Sequence, residues 1–468
     1  LLTNSVTMEN PVRFQGRIIQ APEHRFILQR NYDYDRYLEA FQDEELAFKK
    51  AYQALINFAD HDSLDLCGRR ILLTEPVNMQ ACDPSRTKFE TRRVIRNGQF
   101  QPADGAVWDT VEVTSQATYA TSDDNRLTNV ANIGSIAVGS LVGGNGVGRE
   151  IYVSDVNVSA QTLELSRPLF DAEGTQVFTF TRFQYMIDFS GYEKLSQFIF
   201  DDIEFQGRGV ASGIMMAPDG FTFHVRDSFV NKPKDRGITS PGRGCQGMMI
   251  DRCQLISDEQ SIPVAGRVSI GFNANANDVK IRDNRTSKFK HFCVLAGSGN
   301  LISGNHWFHG DDEVNGVRMG GIILTLSNPK TIFTGNYCDN NFIEWTNEHA
   351  SSPALGSQFS FGGLTITGNM FTTNDVADWF NFIVIKPYGP GHYINGFAVV
   401  GNVFRSLNGQ IDRVEYVDTT FADLDYSRTR GFEFGGNTFH NVNEPASNPV
   451  HLSHDQQTEA VTWVMNTQ

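Results

Sequence analysis

From about residue 198 the chain repeats a short pattern of apolar and polar positions. It reads apolar, any, apolar, two small or polar residues, an anchor, and a further apolar residue two places on. The pattern runs through Phe198–Phe205, Phe223–Val230, Met248–Leu255 and Val279–Asn284, then Leu301–Asn305, Ile332–Asn336, Leu364–Asn369, Val399–Asn402 and Phe432–Asn437, the last five closing on Gly-Asn. The anchors Ile203, Ser228, Cys253, Asn284, Asn305, Asn336, Asn369, Asn402 and Asn437 are 25, 25, 31, 21, 31, 33, 33 and 35 residues apart. That spacing suits coils of three short strands and three turns, one turn varying in length. Alternation at period two sends one set of side chains inward, so Val, Ile, Leu and Phe at equivalent positions stack coil on coil. An Asn at the turn tolerates left-handed backbone, and stacked amides pair groups that a buried turn leaves unsatisfied. The pattern predicts an all-β fold, a right-handed parallel β-helix.

Ahead of the repeat, Ala47, Ala51, Ala54, Leu55 and Phe58 recur at helical spacing behind Asp43-Glu44-Glu45, which predicts a helix capping the open end of the solenoid. Ser63–Leu66, Arg70–Leu73 and Arg93–Phe100 read as entering strands. Between Trp108 and Arg182 the rung pattern lapses into short strands around Val138–Gly148, Ile151–Val153, Thr162–Leu165 and Val177–Phe180, which predicts an inserted small β module. Its Gly144-Asn-Gly146 segment lacks the Lys-Ser/Thr of a phosphate loop and reads as a hairpin turn. The expected organisation is a cap and first rungs over 1–107, the module over 108–182, the main β-helix over 183–445 and a C-terminal strand or cap over 446–468.

Composition changes this picture little: 468 residues with 40% hydrophobic, 35 Phe, 42 Gly and only 20% charged residues fit a large packed β core. A net charge of −15 argues against nucleic acid or an anionic membrane surface as partner, and no run of 18 apolar residues predicts membrane insertion. Six scattered cysteines show neither metal-ligand nor disulfide spacing. The start at Leu1-Leu2-Thr3-Asn4, without Met or signal-like segment, reads as a fragment or processed chain whose upstream region would carry any attachment function.

On the rungs, the Gly-Asn anchors, the helix 43–58 with Arg70–Leu73, and the Val138–Leu165 module, the chain resembles the pectin-lyase-like β-helix superfamily, in particular polygalacturonase-related proteins and bacteriophage tailspikes. The resemblance implies a homotrimer, on a virion tail or otherwise extracellular, that binds and in many cases cleaves a surface polysaccharide. Polygalacturonases carry Asn-Thr-Asp, Asp-Asp, Gly-His-Gly and Arg-Ile-Lys in order. This chain offers Gly310-Asp311-Asp312 and Arg318 from that set.

Residues at one offset from the anchor should form a column along the outside of the solenoid. Five to eight places on stand Asp235, Asp258, Glu259, Lys290, His291, Asp311, Asp312, Glu344 and Asp375. Glycosidic hydrolysis needs a protonated carboxyl and an ionised one. Asp311, Asp312 and Glu344 are therefore the candidate catalytic acids, and Lys290, His291, Arg318, Trp345, Glu348 and Trp379 the candidate substrate contacts, the tryptophans as flat sugar platforms. Trp307, two places past its anchor, reads as core. His306 and His309 flank the Asp pair without a convincing ligand pattern, so no metal and no cofactor is assigned. Three functions follow: a tailspike-like or tail-fibre-like receptor-binding protein for polysaccharide, a glycoside hydrolase of polygalacturonase-like type (less readily a lyase), and a structural spacer. The first is favoured, because the hydrolase motifs are absent.

Overall fold

The computed structural model describes residues 32–57, 62–310, 313–356 and 359–444, with shorter pieces at 4–8, 16–17, 19–24 and 26–28. Phe58, Asp311, Asp312 and the expected C-terminal strand or cap over 446–468 lie outside the described residues.

The chain winds into a right-handed parallel β-helix. A typical coil contributes three strands, such as Lys280–Arg282, Arg285–Ser287 and His291–Leu295. Each strand pairs in parallel with its counterparts one coil before and after, as Ile281 does with Ile250 and Ile302. We call the resulting faces the first, second and third sheets. The third has ten strands, from Val77–Asn78 to Glu415–Val417. Inward positions stack in single file: Val225, Ile250, Ile281, Ile302, Phe333, Ile366, Val399 and Phe434 on the first sheet. On the second, Trp307 lies between Thr286 and Cys338 and is fully buried.

The sharp bend between first and second strands is the anchor. The backbone N–H of Asn284, Asn305, Asn336, Asn369 and Asn402 each donates to the Oδ1 of the next anchor at 2.9–3.1 Å. Each Nδ2 donates to that same Oδ1 as well. The left-handed residue is not the asparagine, as its turn preference suggested, but the one before it. Gly304, Gly335, Gly368, Gly401 and Gly436 have φ of 64–68°, and Asp227, Arg252 and Asp283 fill that place in earlier coils. Glycine takes the strained conformation at least cost, leaving the Asn amide free to bridge coils.

The capping helix spans Glu44–Asn57, with Asp43 Oδ1 accepting the Leu46 N–H at 2.8 Å. Its buried face sits on the first coils, Phe48 meeting Phe100 edge-on at 4.8 Å. A shorter helix, Tyr34–Phe41, which the sequence pattern did not reveal, precedes it.

The inserted module is a six-stranded antiparallel sheet between Val111 and Arg182 with its own apolar cluster around Leu127, Leu163, Phe178 and Phe180. Its glycine-rich segment is a hairpin connection: Leu141 bridges Tyr152 antiparallel and Val142 N–H donates to Ile151 O at 2.8 Å. The module leaves the solenoid after strand Arg93–Pro102 and returns at Tyr185–Asp188, the second strand of the third sheet. It therefore emerges at the corner leading into the third sheet and folds back over that face. Among the described residues no helix is long and apolar enough to cross a membrane.

Candidate functional site

The corner between second and third strands changes length from coil to coil, from residues 340–341 in one to 375–382 in the next. Long corners rise beside the third sheet and the module covers part of it, so depressions form on this face. One is an open trough of about 540 Å³ over the C-terminal coils. Its floor is the outward row Glu344, Val384 and Tyr416, in register on consecutive strands. Trp379 and Asn381 from one corner, with Asp412 and Arg413 from the next, form its side. Trp379 is 57% exposed and Tyr416 45%. Both aromatic side chains are therefore accessible to a ligand.

A second hollow of about 490 Å³ lies under the module and is lined in part by Lys290, His291, Glu348 and Tyr388. Between the two stands Arg149, from the module. Its Nη2 donates to Glu344 Oε1 at 2.6 Å, its Nε to Glu348 Oε1 at 2.9 Å, and its backbone N–H to Glu348 Oε2 at 3.2 Å. Burial opposes the Arg149 charge, but the two carboxylates outweigh it and hold the guanidinium ionised. Burial likewise works against the Glu348 charge, and Arg149 overrides it, keeping that carboxyl below its ordinary range. Next to it His349 is pushed down to about 4, chiefly by burial, and as neutral imidazole donates from Nε2 to Arg149 O at 2.7 Å. A second clasp joins module and coil: Arg236 reaches both oxygens of Glu150 at 2.8 and 3.0 Å, and Tyr152 OH donates to Glu150 at 2.5 Å.

Lys290, His291, Arg318, Glu344, Glu348 and Trp379 thus line the two depressions that flank Arg149. Several have duties other than those expected. Trp345 offers no platform: it is fully buried, and its indole N–H donates to Leu326 O at 2.8 Å. Period two explains this, since Glu344 faces outward and its neighbour must face the core. Glu348, with a side chain 3% exposed, is committed to Arg149. His291 is held neutral by burial and then by the nearby Arg149 charge, and its Nδ1 lies 2.6 Å from Gly320 O, so it is no cation for an acidic sugar. Arg318 is buried and donates to the carbonyls of Glu313 and Asn374. His306 stacks on Tyr337 at 4.7 Å, while His309 is buried against Phe292.

The sequence reading missed Arg149, Tyr416, Asp412 and Arg413, and the aromatic ledge next to Lys386. On that ledge Phe421, 48% exposed, stacks on Tyr388 at 4.4 Å, with Phe170 of the module against Tyr388 at 4.7 Å. Strand alternation in Glu415-Tyr416-Val417 is the signal that would have found Tyr416.

No family model and no curated protein matches the chain. Among solved structures it is similar to a double mutant of the tailspike protein of E. coli bacteriophage HK620, at 11% identity and TM-score 0.47, over 88% of this chain and 67% of that one. It is also similar to the A-module of the mannuronan C-5 epimerase AlgE6 of Azotobacter vinelandii, at 11% identity and TM-score 0.46, over 90% of this chain and 97% of that one. A third likeness, to the surface adhesin PfbA of Streptococcus pneumoniae, has 10% identity and TM-score 0.45, over 89% and 93%. These are likenesses of fold.

Proposed function

We propose that the chain is a tailspike-like or tail-fibre-like receptor-binding protein, extracellular or carried on a virion, that holds a surface polysaccharide in the trough over its third sheet. The supporting observation is the pair of exposed aromatic faces, Trp379 and Tyr416, beside hydrogen-bonding groups of both kinds: Glu344, Asp412 and Asn381 as acceptors, Arg413 and the Asn381 amide as donors. Sugar rings present apolar C–H faces to aromatics and hydroxyl edges to such groups.

Binding is favoured over cleavage by the state of the carboxylates. A general acid must hold its proton near neutral pH. Glu344 is engaged by the Arg149 guanidinium at 2.6 Å. Asp418, at the rim, is held low: burial opposes, but Thr420 and Lys386 outweigh it. Asp418 is therefore not prepared to donate a proton, and Glu344 already serves as the ion-pair partner of the module.

The test is incubation with capsular, lipopolysaccharide and plant acidic polysaccharides, scoring binding, new reducing ends and unsaturated products, with Trp379→Ala, Glu344→Gln and Asp312→Asn alongside. Binding without products, weakened by Trp379→Ala, is expected. Products abolished by Glu344→Gln or Asp312→Asn would make the chain a glycoside hydrolase instead, and binding unaffected by Trp379→Ala would move the site elsewhere. A homotrimer, which the resemblance implies, belongs to the same proposal; a monomer mass by light scattering would remove it.

A further inference from the structure

A further cleft, of about 690 Å³, is distinct from the trough and shares no lining residue with it. It opens at the seam between the module and the coils around residues 218–277. Arg167, just after the module strand Thr162–Leu165, crosses this seam and donates from Nη2 to the carbonyl of Asn275. Its Nε is buried and, among the described residues, has no hydrogen-bond partner. Arg243, on the turn that follows the third-sheet strand Arg236–Thr239, is exposed and lines the same cleft. Among the described residues neither guanidinium has a carboxylate within ion-pair distance.

The acids of the cleft do not serve them. Glu164 is taken by Arg126 at 2.6 Å and Glu193 by Lys88 at 3.0 Å. Asp155 and Asp219 line the cleft as acceptors and, among the described residues, have no side-chain partner. Burial and the nearby Arg243 charge both work against the Arg167 cation, so an anion arriving between the two relieves a standing cost.

We propose that this cleft binds a carboxylated sugar residue, its carboxylate held by Arg167 and Arg243 and its hydroxyls donating to Asp155 and Asp219. A bare anion would use the guanidiniums but gain nothing from two aspartates; a neutral sugar would leave the guanidiniums unmatched. A uronate residue satisfies both sets.

The experiment is calorimetric titration of the full chain with a short oligogalacturonate, a neutral oligosaccharide of equal length, and inorganic phosphate. It is repeated on Arg243→Gln, Arg167→Gln and, for the separate trough, Trp379→Ala. With the trough disabled by Trp379→Ala, the acidic oligosaccharide should still bind and the neutral one should not. Either arginine substitution should weaken the acidic oligosaccharide about tenfold in that background, the loss of one charge-assisted hydrogen-bonding group. Arg243 is exposed, so its variant tests the site even if Arg167→Gln disturbs the seam. Equal binding of acidic and neutral sugars in that background, no response to Arg243→Gln, or phosphate binding as tightly as the uronate would each overturn the assignment. Loss in Trp379→Ala alone would leave the trough standing and remove this second site.

Discussion

Replacing Arg149 by Met tests whether the module is clamped to the solenoid by charge. The substitution keeps a long apolar stem but removes the guanidinium from two carboxylates whose side chains are 3% (Glu348) and 14% (Glu344) exposed. Glu348 retains the Arg149 backbone N–H at 3.2 Å and the Thr346 hydroxyl at 3.3 Å; Glu344 can turn toward the trough and water. Removing one partner of a buried pair costs about 3–5 kcal/mol, because the other charge is left uncompensated. A loss near the lower end of that range is expected at pH 7. It should appear first as faster hydrogen exchange in the segment 141–152.

The pH dependence carries a sign that packing alone would not produce. In the wild type Arg149 holds Glu348 below its ordinary range, so that stabilisation is present above the unfolded value and is lost as pH falls through the lowered folded value. In Arg149→Met burial is opposed only by the retained backbone N–H, the Thr346 hydroxyl and the neighbouring His349, so the Glu348 pKa rises and acidification stabilises the variant relative to its state at pH 7. The gap between the two proteins should narrow from pH 7 to pH 4.5, and Glu344→Gln with Glu348→Gln in the Met background should recover most of it. A loss below about 1 kcal/mol, or parallel pH profiles, would refute the clamp.

Three further outcomes are expected. Trp379→Ala should weaken polysaccharide binding by about 1–2 kcal/mol, roughly five- to thirtyfold in Kd, with the melting temperature unchanged because the side chain is 57% exposed. Asn336→Ala should destabilise by about 3–4 kcal/mol in denaturant titration, since Nδ2 donates to the Ile302 and Thr334 carbonyls and to Asn369 Oδ1, while Oδ1 accepts two bonds from Asn305. Glu415, inward on the last strand of the third sheet, is raised to about 8 by burial. Its folded value thus exceeds its unfolded one, so stability should fall as pH rises from about 5 to 8, and Glu415→Gln should flatten that decline in melting temperature.

The solenoid was legible because its signal repeats. An apolar alternation of three or four residues says little once, but nine copies at coil spacing, five closing on Gly-Asn, leave few alternatives. The detail that failed there, left-handed backbone assigned to the asparagine, failed because Gly and Asn both suit that conformation. Only the ladder from Asn284 to Asn437 shows that the amide is needed for bridging and the glycine for the bend.

The site was legible in a weaker sense, and the reason is geometric. Offset from an anchor is a coordinate only while corners are of equal length. Across the corner 340–341 an offset of eight reaches Glu344 within a strand, whereas across 375–382 similar offsets still fall in the turn. Offset also ignores the strand's own alternation, which is why Trp345 was grouped with Glu344 although adjacent strand residues face opposite ways. Arg149 lies further beyond reach. It belongs to a module that interrupts the repeat, and it meets Glu344 across 195 residues of chain. Nothing local to the Gly-Val-Gly-Arg149-Glu150 segment marks it as a clamp. What does mark it is the pair of acids it answers: on a third sheet whose outward row runs Val294, Ile323, Glu344, an acid entering an apolar row needs a cation above it, and the module is the element that covers this face. An outward acid following apolar outward positions is therefore the point at which to seek the docking arginine of a module whose own partners the sequence does not reveal.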